Sequence, residues 1–168
     1  MKTLLVLVGP PGSGKTTYQR RHPEWAVVSK DDIRQLVFRA GYTSEHEDAV
    51  ENMFATALVE AVETDIETVC VDGEHLTRDE RRRLIEVAVL SGRRPIAHVL
   101  LPPDARTDST RAQRESSISG YPPATEDEGF ARVELIEASA QPAEPPMPEA
   151  KRTKKRAPRR DPLPLFVS

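Results

Sequence analysis

The sequence has a single cysteine and few aromatic side chains, which make up 5% of its 168 residues. Cys70 has no partner for an internal disulfide, and its place in the apolar run 69–71 predicts a buried strand residue in a reducing compartment. No apolar run reaches the roughly 20 residues that a membrane-spanning helix requires. The histidines lack the spacing of a metal site. We therefore expect a cytoplasmic protein that does not bind a membrane.

Charge is distributed unevenly along the chain, although the net charge is only −3. Residues 151–168 carry seven Lys and Arg side chains against the single carboxylate of Asp161, so the preceding part is acidic. From residue 138 onward Pro, Ala and Glu and then basic residues dominate, a composition that predicts a disordered tail over 138–168. We expect this flexible polycation to bind nucleic acid whatever its sequence. The alternative interpretation is that the tail only keeps the protein soluble.

Residues 9–16 read G-P-P-G-S-G-K-T, between an apolar run and a helix-compatible stretch. This pattern binds phosphate when the loop connects the end of a strand to the N-terminus of a helix. Lys15 is expected to reach the β- and γ-phosphates of ATP, and the Thr16 hydroxyl is expected to bind Mg²⁺. The predicted nucleotide-binding residues are Gly9, Gly12, Ser13, Gly14, Lys15, Thr16 and Thr17.

Apolar runs alternate with helical patterns, which predicts an α/β fold with a parallel five-stranded sheet flanked by helices. The predicted strands span 3–8, 26–29, 68–72, 95–101 and 132–136. The helices are expected to be a short first one ending at His22, a second starting at Asp31, a third over 43–64 and a fourth bounded by Thr77 and Gly92. Met53 and Val89 are placed on the core-facing sides of the third and fourth helices, and Arg81 to Arg83 on a solvated face.

A charged cluster, S-K-D-D-I-R, follows the second predicted strand at residues 29–34. The carboxyl ends of parallel strands line the ligand crevice, so this loop is expected to open beside the γ-phosphate. There the Asp31 carboxylate can accept a proton from an attacking hydroxyl, and Arg34 can hold an anionic group on the acceptor. The alternative is that Asp31 only caps the second helix. Asp72, at the end of the third strand, is expected to orient Mg²⁺, or else to cap a turn.

These motifs, in this order over residues 1–136, resemble bacteriophage-type polynucleotide 5′-hydroxyl kinases and their P-loop kinase relatives, the zeta-toxin group included. The resemblance implies a monofunctional, ATP-dependent kinase of a DNA or RNA 5′-hydroxyl on a P-loop kinase fold. It makes Asp31 the general base and Arg34 the residue that grips the acceptor's adjacent phosphate. An arginine from a lid over about 102–123, Arg111 or Arg114, would contact the transferring phosphoryl. The kinase domain would then span residues 1–137.

Two other functions on the same fold stay open as hypotheses. One is a small-molecule or toxin-like kinase, which the acidic body favours, and the other is a nucleotide-binding adaptor without transferase activity. The last apolar residues, Leu163, Leu165 and Phe166, resemble the short peptides that bind bacterial sliding clamps, although packing onto the domain is the simpler interpretation. DNA against RNA, single strand against duplex end, and the oligomeric state are not decided by the sequence.

Overall fold

The computed structural model describes residues 1–39, 41–101 and 121–136. Most of the predicted lid, with Arg111 and Arg114, and the predicted tail lie outside these residues, so the domain boundaries stay predictions. In chain order the elements are β1 (Thr3–Val8), α1 (Lys15–Gln19), β2 (Ala26–Ser29), α2 (Lys30–Ile33), a π-helical segment (Arg34–Phe38), α3 (Glu47–Glu63), β3 (Thr68–Asp72), α4 (Arg78–Leu90), β4 (Arg94–Leu100), a 3-10 turn (Glu126–Glu128) and β5 (Arg132–Ile136).

The five strands form one sheet in the order β2-β3-β1-β4-β5, and every neighbouring pair is parallel. The predicted five-stranded parallel sheet is therefore confirmed. Ser29, the last residue of β2, is in register with Asp72, the last residue of β3. The carboxyl ends of the strands that carry the predicted site residues thus meet at one edge of the sheet, as expected for a parallel arrangement.

The sheet is covered on both faces. On one face, Leu4 and Val6 of β1 pack in a cluster with Phe54 of α3 and Leu84 of α4. On the other, Leu5, Leu7, Cys70 and Leu100 form a smaller cluster against which the Tyr18 and Trp25 side chains pack. Strand β1 is buried on both faces, which explains its unbroken apolar sequence. Cys70 is fully buried, as predicted.

Two helix boundaries follow from their capping residues. Helix α2 begins at Lys30 because the Ser29 side chain caps it, accepting a hydrogen bond from the Asp32 amide at 3.3 Å. The alternative that Asp31 caps this helix is therefore wrong. Helix α4 begins after Thr77, where Thr77 and Glu80 form the predicted capping box, and it stops before Gly92, whose φ of 67° is left-handed.

The predicted core-facing sides of α3 and α4 need correction. Met53 is 40% exposed and Val89 is 64% exposed. The buried residues of α3 recur every four positions and form a narrow stripe, so Met53 falls beside that stripe: Val50, Phe54, Leu58 and Val62. Helix α3 also starts at Glu47, later than predicted. On α4, Arg81 lies on the buried stripe with Leu84 and Ile85, so the expectation of a solvated arginine was wrong at this position.

Within the described ranges, no helix combines the length and apolarity needed to cross a membrane.

Candidate active site

The loop between β1 and α1 requires glycine at two points. Gly14, which precedes α1, has a φ of 93°, a left-handed conformation that side chains with a Cβ rarely adopt. At Gly9 the constraint is space, because a Cβ there would lie 2.3 Å from the carbonyl oxygen of Leu100 at the end of β4. The loop therefore follows the carboxyl edge of the sheet so closely that only glycine fits, and its amide groups lead directly into the N-terminus of α1.

The Lys15 side chain folds back over this loop. Its Nζ atom donates hydrogen bonds to the carbonyl oxygens of Gly9 at 2.6 Å and Pro10 at 2.9 Å. Burial lowers the pKa of the Lys15 ammonium group, and the nearby carboxylates, led by Asp72, act in the opposite direction. Lys15 is thus a buried cation at the mouth of the loop, where it would meet the phosphate oxygens of a nucleotide.

The Thr16 hydroxyl donates a hydrogen bond of 3.3 Å to Oδ2 of Asp72. Burial raises the pKa of the Asp72 carboxyl, while Lys15 and the Thr16 hydrogen bond oppose that shift. A half-buried carboxylate next to a hydroxyl supplies the oxygen donors that Mg²⁺ prefers, and a bound cation would offset the cost of its burial. Thr16 and Asp72 therefore fit the magnesium site that the sequence predicts.

Asp31 and Arg34 lie on adjacent turns of the segment that follows β2. Nη1 of Arg34 donates to Oδ1 of Asp31 at 2.5 Å, and the Asp31 side chain is 88% exposed. The other side of the guanidinium group is held by Glu47, in the first turn of α3, through Nε at 3.2 Å and through Nη2. The hydrogen bonds to Glu47 are the largest cause that raises the pKa of Arg34. The arginine is fixed between two carboxylates, that of Glu47, which is partly buried, and that of Asp31, which is open to solvent.

A cavity of about 310 Å³ joins these elements. Asp31 and Arg34 line it together with Asp72, so the predicted base lies beside the residue that contacts the phosphate loop. Among its lining residues, five are carboxylic acids and three are cations: Asp31, Glu51, Asp72, Glu74 and Glu80, and Lys30, Arg34 and Arg83. The cavity has the size of a pocket for a small ligand or for one residue of a polymer.

The turn after β3 lines this cavity and is hydrogen-bonded to the phosphate loop. The Gly9 amide donates to the carbonyl oxygen of Glu74 at 3.0 Å. His75 has a φ of 45°, and its buried Nε2 atom has no hydrogen-bond partner among the described residues. Burial lowers the pKa of His75 to about 4, so the imidazole is neutral near pH 7. Left-handed backbone and an unpaired buried nitrogen both cost free energy, which is a pattern typical of functional sites.

Arg81 fastens this turn to the chain that precedes β5. Its guanidinium group donates to the carbonyl oxygens of His75 at 3.1 Å and Leu76 at 2.7 Å, and to the Glu128 carboxylate. Sequence reasoning missed Arg81, Glu47 and Glu128, although the position of Arg81 three residues before Leu84 was a usable signal for burial.

The structure brings together Lys15, Thr16 and Asp72 at the phosphate loop, and Asp31 and Arg34 at the adjoining cavity. Two other predicted nucleotide-binding residues have different surroundings, since Ser13 is buried and Thr17 is exposed. Arg111 and Arg114 lie outside the described residues, so the roles given to them stay predictions.

The parallel sheet, its strand order and the glycine-rich loop define a P-loop kinase-like fold, as predicted. The chain belongs to the AAA domain family, whose model matches residues 4–135. This is a family of P-loop kinases, which bind ATP. No curated protein matches the sequence.

Solved structures with a similar fold include a chain of the Pnkp1/Rnl/Hen1 RNA repair complex, with 20% identity and a TM-score of 0.54 over 71% of this chain and 43% of that one. A candidate kinase from Chloroflexus aurantiacus has 16% identity and a TM-score of 0.55, over 80% and 87% of the two chains. Kti12 of Chaetomium thermophilum, in complex with ADP-AlF3, has 16% identity and a TM-score of 0.53, over 82% and 90%. The chain thus spans less than half of the RNA repair protein, and these likenesses show the fold.

Proposed function

We propose that the protein is an ATP-dependent polynucleotide kinase that transfers the γ-phosphoryl group of ATP to the 5′-hydroxyl of DNA or RNA. The observation that carries this proposal is that Asp31 and Arg34 share a cavity with Asp72, which in turn contacts Thr16 of the phosphate loop. A base and an anion-binding group therefore lie beside the predicted position of the transferable phosphate.

The residues divide the work of the reaction. Bound ATP with Mg²⁺ supplies the phosphoryl group and a positive charge beside it, and Thr16 and Asp72 would hold the cation. Lys15 neutralises charge on the phosphates, and the lid arginine, Arg111 or Arg114, is proposed to contact the transferring phosphoryl group. The exposed Asp31 carboxylate accepts the proton of the acceptor hydroxyl as its oxygen bonds to phosphorus and the bond to ADP breaks.

Nucleic acid is the acceptor that we favour, for two reasons. The basic residues 151–160 would concentrate a polyanion near the site through counterion release. A chain of similar fold belongs to an RNA repair complex. Deleting residues 150–168 should raise the Michaelis constant for oligonucleotide and weaken its salt dependence. If neither quantity changed, the tail would play no part in substrate capture.

An acceptor panel tests the main proposal. The protein is incubated with γ-labelled ATP, Mg²⁺ and 5′-hydroxyl DNA, 5′-hydroxyl RNA, nucleosides or sugars, and we expect label on the oligonucleotides. Asp31→Asn should keep ATP binding and lose about 10²- to 10⁴-fold in transfer rate, the usual contribution of a general base. Transfer at an unchanged rate would remove Asp31 from the mechanism.

A small-molecule kinase is the second candidate. The observation in its favour is that the cavity has five carboxylic acids against three cations, a balance that suits a neutral or cationic alcohol. Label on a nucleoside or sugar, with none on oligonucleotides, would establish this function instead. An adaptor that only binds nucleotide would label none of the acceptors.

The remaining proposals concern location and partners. We propose a cytoplasmic protein, and a sliding clamp as a partner of the apolar residues Leu163, Leu165 and Phe166. Pull-down with the clamp should succeed with the full chain and fail with the Leu165→Ala and Phe166→Ala double variant. Retention of that variant on the clamp would exclude the motif.

A further inference from the structure

The three cations that line the cavity differ in how they are paired. Lys30 forms an ion pair with Glu51 on α3. Arg34 is held by Glu47 and also donates to Asp31. Arg83 alone of the three has no ion pair or hydrogen bond with any residue in the part of the chain that the structure describes.

Arg83 also lies on a different wall of the cavity. Lys30 and Arg34 come from the segment after β2, whereas Arg83 lies on α4, next to the buried Leu84. Leu84 and Arg81 anchor this turn of α4 in the core. The backbone at Arg83 is therefore fixed, while its side chain is exposed and unengaged. This arrangement presents a positive charge to a ligand that enters the cavity.

The excess of carboxylates over cations in the cavity means that an anionic acceptor needs the free positive charge of Arg83. Two of the three cations already neutralise carboxylates of the protein itself, and a phosphate that bound Arg34 would compete with Asp31 for it. The surplus carboxylates would repel a phosphodiester unless a free positive charge lies nearby. A guanidinium group without an internal partner binds phosphate through two parallel N–H donors and breaks no existing ion pair.

We infer that Arg83 is a specificity-determining residue that binds a phosphate group of the acceptor and so selects nucleotides over nucleosides and sugars. This inference rests on the proposed function. The acceptor then spans the cavity, with its 5′-hydroxyl at Asp31 and a phosphate of its backbone at the α4 wall. The role that the family resemblance gives to Arg34 is supplemented by a contact from α4.

The test compares Arg83→Gln with Arg82→Gln. Arg82 is the preceding residue of α4 but pairs with Glu86 at 3.1 Å and does not line the cavity, so it is a matched control. For a 5′-hydroxyl oligonucleotide and for a nucleoside 3′-monophosphate, Arg83→Gln should raise the Michaelis constant about ten- to a hundredfold and change kcat by no more than about twofold. For the nucleoside without phosphate, the constants should not change. Arg82→Gln should match the unaltered protein with all three acceptors.

Equilibrium binding gives a second readout that needs no transfer. Fluorescence anisotropy with a labelled 5′-hydroxyl oligonucleotide, measured over a range of salt, should show weaker binding for Arg83→Gln and a salt slope reduced by about one. Arg83→Lys should restore the slope, because it keeps the charge, but only part of the affinity. Equal binding by Arg83→Gln and Arg82→Gln would overturn the inference. If no acceptor were labelled, the proposed function would fail, and the anisotropy comparison would still decide the role of Arg83.

Discussion

Arg81 of α4 and Glu128 of the turn before β5 form a bidentate ion pair, with Nε donating at 2.8 Å and Nη2 at 2.7 Å. The Arg81 side chain is fully buried and that of Glu128 is 8% exposed. Nη1 of the same arginine holds the carbonyl oxygens of His75 and Leu76. One side chain therefore joins the turn that follows Asp72 to the chain that leads into the last strand.

Because Arg81 bonds this turn to Glu128, we expect replacement of Arg81 to weaken nucleotide binding. Arg81→Lys keeps the charge but cannot bond the turn and Glu128 together, so the turn should relax and displace Asp72. We expect ADP with Mg²⁺ to bind about tenfold more weakly, because the contribution of one charge-assisted hydrogen bond is lost. Isothermal titration calorimetry measures this directly, without any acceptor.

Arg93 provides the control for that prediction. It is also buried, and it donates to the carbonyl oxygens of Val62 at 2.8 Å and Thr64 at 2.9 Å, near the amino ends of β1 and β3. Arg93→Lys and Arg81→Lys should both lower the free energy of unfolding by ~1–3 kcal/mol. Only Arg81→Lys should weaken ADP binding. If the two variants weakened it equally, the effect of Arg81 would be one of general stability.

Much of the fold was accessible from the sequence because its signals are local. The strands were recognised as apolar runs, and the boundaries of α4 follow from a capping box and a glycine within the same stretch of chain. Which side chains of a helix meet the sheet is not local, because it depends on how the helix is rotated against its neighbours. Val89 follows the fully buried Ala88, yet one further residue around α4 turns its side chain to solvent.

The candidate site divides in the same way. The phosphate loop is one contiguous motif, and Asp31 and Asp72 were found from the rule that strand ends in a parallel sheet share an edge. Glu47 lies 13 residues from the arginine that it holds, and Glu128 lies 47 residues from Arg81. A single sequence contains no spacing rule for such pairs, so these positioning contacts became visible only in three dimensions.

Glu47 supports a prediction about the acceptor. Glu47→Gln removes the charge that holds one side of the Arg34 guanidinium group, so Arg34 keeps only its ion pair with Asp31 and should hold the acceptor phosphate less firmly. We expect kcat/KM for a 5′-hydroxyl oligonucleotide to fall about tenfold, with ADP affinity unchanged. Steady-state kinetics and calorimetry measure the two quantities. Glu60→Gln, an exposed position on the same helix, should alter neither quantity, and a matching loss in that variant would refute the positioning role of Glu47.

Asp72 makes the binding of Mg²⁺ sensitive to pH. Because burial raises the pKa of its carboxyl, the group takes up a proton at a higher pH than an exposed aspartate does. Protons and Mg²⁺ compete for the same oxygens, so the Mg²⁺ concentration for half-maximal ADP binding should rise as the pH falls toward that raised pKa. Asp72→Asn should bind ADP with little response to Mg²⁺ at any pH. An unaltered Mg²⁺ response in Asp72→Asn would show that the cation is held elsewhere.

Because His75 is buried in its neutral form, we expect the free energy of unfolding to fall on mild acidification. Burial lowers its pKa to about 4, helped by Lys30, Lys15 and Arg81 and opposed by Glu80. The unfolded chain, with a histidine pKa near 6.5, binds the proton first, so the free energy of unfolding should fall by up to about 3 kcal/mol between pH 6.5 and 4. Asparagine tolerates left-handed backbone and does not titrate, so His75→Asn should remove this part of the pH dependence. Denaturant unfolding at several pH values measures it. His46→Asn should keep the full dependence, and a His75→Asn profile as steep as that control would show that this imidazole is not held neutral in the folded protein.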